Sequence, residues 1–241
     1  SDKDLSRAYL LFKTISNPFI SNTLTAFIKV AMWLHLPISW AIKATVYKHF
    51  CGGTTIENSQ ATIDKLWESH IGTILDFSAE GKEIEEDFNL AMNETIASIQ
   101  KAKSESSIPF SVFKPTGLAR FALLEKISSK LKLTKEEEIE KNTFEGRIEN
   151  ICRIASENKV PLFIDAEESW IQNEIDDIAI AMMQKFNKNE AWIFNTLQLY
   201  RNDRVDHLEM LLKLATEKKF FVGLKLVRGA YHEQEIERAK E

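Results

Sequence analysis

The chain has 241 residues, 44% of them hydrophobic and 28% charged, a balance that suits a folded globular protein and excludes a disordered or fibrous one. With 31 basic and 36 acidic residues the net charge is −5, and the one basic stretch, Lys126–Lys135, reads as a solvated helix face, which argues against nucleic acid as a partner. The two cysteines, Cys51 and Cys152, have no Cys or His at ligand spacing, so neither a disulfide framework nor a metal site is indicated.

From Leu5 to about Phe50 the pattern is helical, with breaks at Asn17-Pro18 and at Pro37. Its most apolar part, Ala26 to Val46, contains Lys29, His35, Pro37 and Lys43, so no uncharged run of about 18 residues is present to span a bilayer. Phe27, Trp33 and Trp40 set among lysines suit a membrane surface; the plainer reading is a helical hairpin packed on its own domain. Cys51-Gly52-Gly53 reads as a flexible join. These features define an N-terminal helical arm over residues 1–58 and a second domain over 59–241. Ser59 is the expected N-cap of a helix carrying Ile63, Leu66 and Trp67.

Beyond this point short apolar segments alternate with long amphipathic ones. The short segments are Ile71–Phe77, Pro109–Lys114, Val160–Asp165, Ala191–Gln198 and Phe220–Val227, rich in Val, Ile, Leu and Phe as parallel strands covered on both faces require. Helical stripes follow: Ile84, Phe88, Ala91, Met92 and Ile99; Ile171, Ile175, Ile178, Met182 and Phe186; Val205, Leu208, Leu211, Leu212 and Ala215. Between the second and third strands there is room for two helices, the later one opening at Thr134 with Glu137 three residues on, a capping-box pattern. Five such units in series predict an α/β protein. None of the eight glycines forms a dinucleotide-binding or P-loop turn, which leaves a (β/α)8 barrel as the expected architecture. A full barrel takes about 250 residues, so only the first five units are expected within this chain.

Each strand ends on a polar residue: Asp76, Lys114, Asp165, Gln198 and Lys225. Alternation assigns faces, placing Phe110, Val112 and Lys114 together, then Phe163 with Asp165, then Trp192, Phe194, Thr196 and Gln198, then Phe221, Gly223 and Lys225. In a barrel these sides point inward at the C-terminal mouth, where barrel enzymes hold their chemistry. Two carboxylates, two ammonium groups and an amide can pair there and suit a polar ligand. Desolvated Lys114 or Lys225 would also suit a Schiff-base aldolase. The five histidines, His35, His49, His70, His207 and His232, sit on the arm, on helical segments or in loops with no neighbouring carboxylate or serine arranged as a triad, and read as surface or packing residues. The tryptophans read as packing residues, with Trp192 a candidate for the barrel interior.

Four strings occur in the order found in one family: Phe113-Lys114-Pro115-Thr116-Gly117-Leu118, Leu162-Phe163-Ile164-Asp165-Ala166-Glu167-Glu168-Ser169, Asn195-Thr196-Leu197-Gln198-Leu199-Tyr200 and Lys225-Leu226-Val227-Arg228-Gly229-Ala230-Tyr231. With Phe50-Cys51-Gly52-Gly53 and Leu75-Asp76-Phe77-Ser78-Ala79-Glu80-Gly81, the chain resembles the N-terminal part of a monofunctional proline dehydrogenase over roughly residues 45 to 241. The resemblance implies FAD-dependent oxidation of L-proline to Δ1-pyrroline-5-carboxylate, with electrons passing to a membrane quinone. It implies a cytoplasmic protein, peripheral at the inner face of a membrane, or at the mitochondrial inner membrane in a eukaryote. Matched by motif, Lys114 and Asp165 sit close to each other and beside the substrate, Gln198 and Lys225 by the isoalloxazine, Arg228 and Gly229 at the cofactor, and Ala230 and Tyr231 on the substrate-pocket wall. Lys114, Asp165 and Lys225 are the implied catalytic groups. Lys225 departs from the family, many members having arginine there and lysine at the place of Arg228.

The family's arginine pair for the proline carboxylate belongs to a last helix beyond residue 241. The expectation is therefore that 1–241 alone neither retains FAD nor turns over proline, and that the C-terminal remainder of the barrel acts as a complementing segment. Hydroxyproline is an alternative substrate within the family, and a non-catalytic fragment with open sheet edges is the alternative outside enzymes.

Overall fold

The computed structural model describes residues 2–38, 40, 45, 47–77 and 81–240. Residues 39, 41–44 and 46 of the expected arm, and Ser78, Ala79 and Glu80 of the Leu75–Gly81 string, lie outside the described residues. The chain divides into two compact units, Ser1–Thr62 and Ile63–Glu241.

In the first unit α1 (Asp2–Ile15) and α2 (Pro18–Trp33) pack on each other. The break between them falls at Asn17-Pro18. The Asn17 side chain accepts from the Phe19 and Ile20 amides, and Pro18 occupies the first helical position, where a missing N–H costs nothing. The chain leaves α2 through His35, at φ 54°, before Pro37. A short helix α3 (Lys48–Phe50) brings His49 and Phe50 edge-on to Phe12, at 5.2 and 6.1 Å between ring centroids. At the Gly52-Gly53 join Thr62 Oγ1 donates to the Gly52 carbonyl at 2.9 Å, and a Cβ on Gly53 would lie 2.6 Å from the Ser59 backbone. Helix α4 (Ile56–Trp67) starts earlier than the sequence suggests. Thr55 Oγ1 accepts from the Asn58 amide, while Ser59 lies inside the helix and its hydroxyl donates back to the Thr55 carbonyl at 2.9 Å.

The second unit is a parallel sheet with helices on its outer side. The strands, β1 (Ile74–Leu75), β2 (Phe110–Phe113), β3 (Leu162–Ile164), β4 (Ile193–Gln198) and β5 (Leu224–Val227), pair in sequential order. Each lies within its expected segment, and successive strands in order are the pattern of a (β/α)8 barrel wall. Between them run α5 (Glu85–Ser104), the pair α6 (Phe121–Ser128) and α7 (Lys135–Asn158), α8 (Ser169–Phe186) and α9 (Arg204–Lys218), with α10 (His232–Arg238) after β5. Helix α7 opens with the capping box: Thr134 Oγ1 accepts from the Glu137 amide and the Glu137 carboxylate accepts from the Thr134 amide. Of the expected basic helix face before it, Lys126 stands on α6 and pairs with Glu137 at 2.6 Å, while Lys130, at φ 55°, and Lys132 lie in the connection between α6 and α7.

Alternation divides the strands into two faces. Outward, Leu162, Ile164 and Ile193 are fully buried against Phe144, Ile148 and Ile151 of α7 and Ile171 and Ile175 of α8; each such side chain contributes about 1.5–3 kcal/mol by leaving water. Inward, Phe110 stacks on Phe163 at 4.5 Å, and Phe194 meets both edge-on. These rings form a floor beneath the C-terminal mouth. Gly223 is required where the chain enters β5 alongside β4, because a Cβ there would lie 2.4 Å from the Ile193 carbonyl oxygen. Three positions of the helical stripes are exposed: Ile84 at the cap of α5, and Val205 and Leu212 on α9, whose core face is made by Leu211, Leu214 and Ala215. Phe221 is exposed as well, since it precedes the strand; Trp192 is half-buried against the apolar core.

Candidate active site

At the C-terminal ends of the strands the polar residues meet in pairs. Lys225 Nζ donates to Asp165 Oδ1 at 2.5 Å and lies 5.2 Å from the centre of the Phe163 ring, the inner floor of the mouth. Lys114 Nζ lies 3.8 Å from Asp76 Oδ2. Asp165 thus takes Lys225 as its partner: it leaves β3 on the inward side shared by Phe163, and Lys225 leaves β5 on the same side. Pairing removes the several-kcal/mol cost of a half-buried lone charge. Gln198 is 2% exposed at the end of β4, on the strand side of Phe194. Its Nε2 donates to the Glu167 carbonyl at 2.9 Å, while its Oε1 is buried without a hydrogen-bond partner. An orphan acceptor of this kind costs about 1–3 kcal/mol until a donor reaches it.

After β5 the chain turns at Gly229, φ 122°, where a Cβ would fall 1.6 Å from the Tyr200 ring. The Arg228 carbonyl accepts from the Tyr200 amide at 3.0 Å, the Arg228 side chain is exposed, and so is Ala230. Burial pushes the Tyr200 phenol up from its ordinary value. Tyr231 is half-buried and lines a cleft of about 380 Å³ with Lys82, Thr116, Phe121 and Glu167.

Two groups of residues escaped the reading of the sequence. Glu167 is 2% exposed, and its carboxylate accepts from the Thr116 amide at 3.0 Å and from Thr116 Oγ1 at 2.5 Å. Both stand in the quoted strings, next to the residues singled out, and only their contact across 51 positions reveals a role. Behind the sheet, Asp176 accepts from Gln172, Asn195 and Arg204 at 3.0, 2.9 and 2.7 Å. His207 Nδ1 lies 3.8 Å from the same carboxylate, a partner brought to it from another helix by folding.

The arrangement is a wall of paired charges, a buried amide and an aromatic floor at the mouth of a parallel sheet. The proline dehydrogenase family matches residues 59–241, a stretch that contains every one of these groups. The chain belongs to the proline dehydrogenase family. A carbapenem antibiotics biosynthesis protein, CarD, of Pectobacterium carotovorum is 33% identical over 186 residues, 77% of this chain and 50% of that protein. Mitochondrial proline dehydrogenase 1 of Dictyostelium discoideum is 28% identical across 100% of this chain and 49% of its own length, and that of Drosophila melanogaster is 40% identical across 44% of this chain and 15% of its own. The chain spans about half the length of the first two relatives. Among solved structures, proline utilization A of Bdellovibrio bacteriovorus superposes with a TM-score of 0.69 at 17% identity, over 84% of this chain and 22% of that one. That likeness gives the fold, a TIM-type barrel in which β1 to β5 of this proline dehydrogenase relative are successive strands.

Proposed function

We propose that the chain forms part of the active site of a flavoenzyme that oxidises L-proline to Δ1-pyrroline-5-carboxylate, with FAD as cofactor and a membrane quinone as the final acceptor. The observation that carries this reading is the buried, unpartnered Gln198 Oε1 beside the Asp165–Lys225 pair, in a chain of the proline dehydrogenase family. A planar cofactor with ring N–H donors and a reduced form of negative charge fits an orphan acceptor and an ammonium group above an aromatic floor. Bound flavin supplies a two-electron acceptor for the hydride that leaves proline C5.

The chain's own residues do the rest. Lys225 presents a positive charge at the mouth, and Asp165 holds its ammonium in place. Only Asp165 Oδ1 is engaged by Lys225, which leaves Oδ2 to accept from the substrate amine. The amine must lose a proton as C5–H departs, so that the electron pair on nitrogen closes the C=N bond; a carboxylate beside it favours that loss. Lys114, tethered by Asp76, offers a second cation for the substrate. Arg228 and Gly229 are assigned to the cofactor, the latter through the tight turn on Tyr200, and Ala230 and Tyr231 to the pocket wall.

Further βα units complete the barrel as a complementing segment; the outer face of β5, with Leu226 63% exposed, supports their packing there. The helical arm makes a peripheral membrane contact, supported by Phe19, Trp33 and Trp40, exposed to 80%, 78% and 73%. No helix among the described residues is long and apolar enough to cross a membrane. The Dictyostelium and Arabidopsis thaliana relatives are named as mitochondrial, which supports the mitochondrial inner membrane as the site in a eukaryote.

The cofactor assignment is tested by titrating FAD into a polypeptide that carries the completed barrel, read by quenching of flavin fluorescence. Gln198→Leu should raise the Kd about tenfold, the worth of one hydrogen bond to a buried group; an unchanged Kd rejects the role of Gln198.

A further inference from the structure

Resting on the flavin reading above, we propose that Glu167 is a positioning residue that sets the Gln198 amide against the cofactor. Glu167 is held from three directions. Its carboxylate takes both the amide and the hydroxyl of Thr116, at 3.0 and 2.5 Å, which ties the end of β3 to the turn after β2. Its backbone N–H donates to Gln172 Oε1 at 3.0 Å, and Gln172 is in turn fixed by Asp176 on the same helix. Its backbone carbonyl accepts from Gln198 Nε2 at 2.9 Å. Glu167, Gln172 and Gln198 are each 2% exposed or less.

The last bond decides which end of the Gln198 amide is free. An amide has two ends that differ only in donor and acceptor character, and isolated at a strand end it could rotate by half a turn. A carbonyl at the Glu167 position takes the NH2 end and leaves Oε1 as the acceptor for a ligand N–H. That carbonyl stays in place only while the Glu167 peptide is clamped on its amide side by Gln172 and on its side-chain side by Thr116. Asp165 lies two residues before Glu167 on the same strand end, so the same clamp also fixes the partner of Lys225. The strand-end groups of β2, β3 and β4 are therefore linked through one residue, by its side chain to Thr116 and by its backbone to Gln172 and Gln198.

The test compares Thr116→Val, which keeps the shape and removes the hydroxyl, with Thr116→Ser, which restores it, in the completed, flavin-loaded protein. The readouts are FAD Kd and the visible flavin spectrum, not turnover, because Thr116 also lines the cleft. Thr116→Val should raise the Kd about tenfold and move the spectrum towards that of Gln198→Leu, with Thr116→Ser like the wild type. If Thr116→Val does not fold, Glu167→Gln, which loses one of the two acceptor oxygens, is held to the same outcome. Wild-type Kd and spectrum in the valine variant, or in Glu167→Gln where that one is used, overturn the proposal while the flavin reading stands, provided Gln198→Leu is impaired. Equal defects in the serine and valine variants overturn it too, since the hydroxyl is then not the reason. If the wild-type protein takes up no FAD, both readings fall together.

Discussion

Replacing Lys225 by methionine keeps the length of the side chain and removes its charge, which leaves Asp165 without its partner at the mouth. The two side chains are 29% and 17% exposed, so the pair lies between the surface limit, where an ion pair contributes less than about 1 kcal/mol, and the buried limit, where breaking one costs about 3–5 kcal/mol. A loss of about 1–2 kcal/mol follows for the pair, and about 0.5–1 kcal/mol for the lost contact of the ammonium with the Phe163 ring 5.2 Å away. For a protein of this size the melting midpoint should drop by roughly 5 °C. Because the same ammonium is assigned to the cofactor edge, kcat/KM for proline in the completed enzyme should fall at least about tenfold, equivalent to about 1.4 kcal/mol of transition-state stabilisation. A double-mutant cycle with Asp165→Asn separates the two contributions: the stability losses of the single variants should overlap, with a coupling of about 1–2 kcal/mol. Lys225→Arg restores charge but presents a planar fork, and should recover most of the stability. If Lys225→Met melts like the wild type and turns over proline at the wild-type rate, the pairing and the catalytic role are both wrong.

Arg204→Met strands Asp176, both groups being 6% exposed in their side chains, and should cost about 3–5 kcal/mol by denaturant unfolding; a loss below about 1 kcal/mol would show that the network behind the sheet is not a buried ion pair in effect. Burial between α7 and α8 pushes the Glu174 carboxyl up from 4.5 to about 7, against the smaller opposing pull of Lys141. The folded state therefore holds this proton more tightly than the unfolded chain, so the stability it contributes is present below about pH 4.5 and lost as the pH rises through about 7. Glu174→Gln should flatten that part of the stability profile and stabilise the protein at pH 8 by about 1–2 kcal/mol, allowing for solvent access. An unchanged profile between pH 5 and 8 would count against the burial of this group.

The strands and helices were legible because their signals are local. Leu162-Phe163-Ile164 and Phe110 to Phe113 are short apolar runs between helical stripes, and Thr134 with Glu137 announces a helix start that forms as read. The inward face was legible too, since alternation alone groups Phe163 with Asp165 and Gly223 with Lys225. Pairing was not. Which lysine reaches Asp165 depends on the relative positions of β2, β3 and β5, and no spacing in the chain encodes that Lys225 meets it while Lys114 meets Asp76. Glu167 and Asp176 were missed for the same reason: their partners lie on other elements, and a glutamate after a strand or an aspartate on a helix has no signature of burial. Ser59 was misread because a competing local signal won: the Thr55 hydroxyl accepts from the Asn58 amide at the helix start, which leaves the serine inside the helix, bonding back to the Thr55 carbonyl.

The role proposed for the mouth formed by Lys114, Asp165, Gln198 and Lys225 is proline oxidation by a bound flavin. The direct measurement is anaerobic mixing of L-proline with the flavin-loaded, completed protein while the flavin absorbance near 450 nm is followed, with hydroxyproline in a parallel experiment. Bleaching by proline, lost or slowed at least about tenfold in Lys225→Met, is the predicted result. Flavin that stays oxidised under proline, or borohydride trapping of a carbonyl substrate on Lys114 or Lys225, would contradict it.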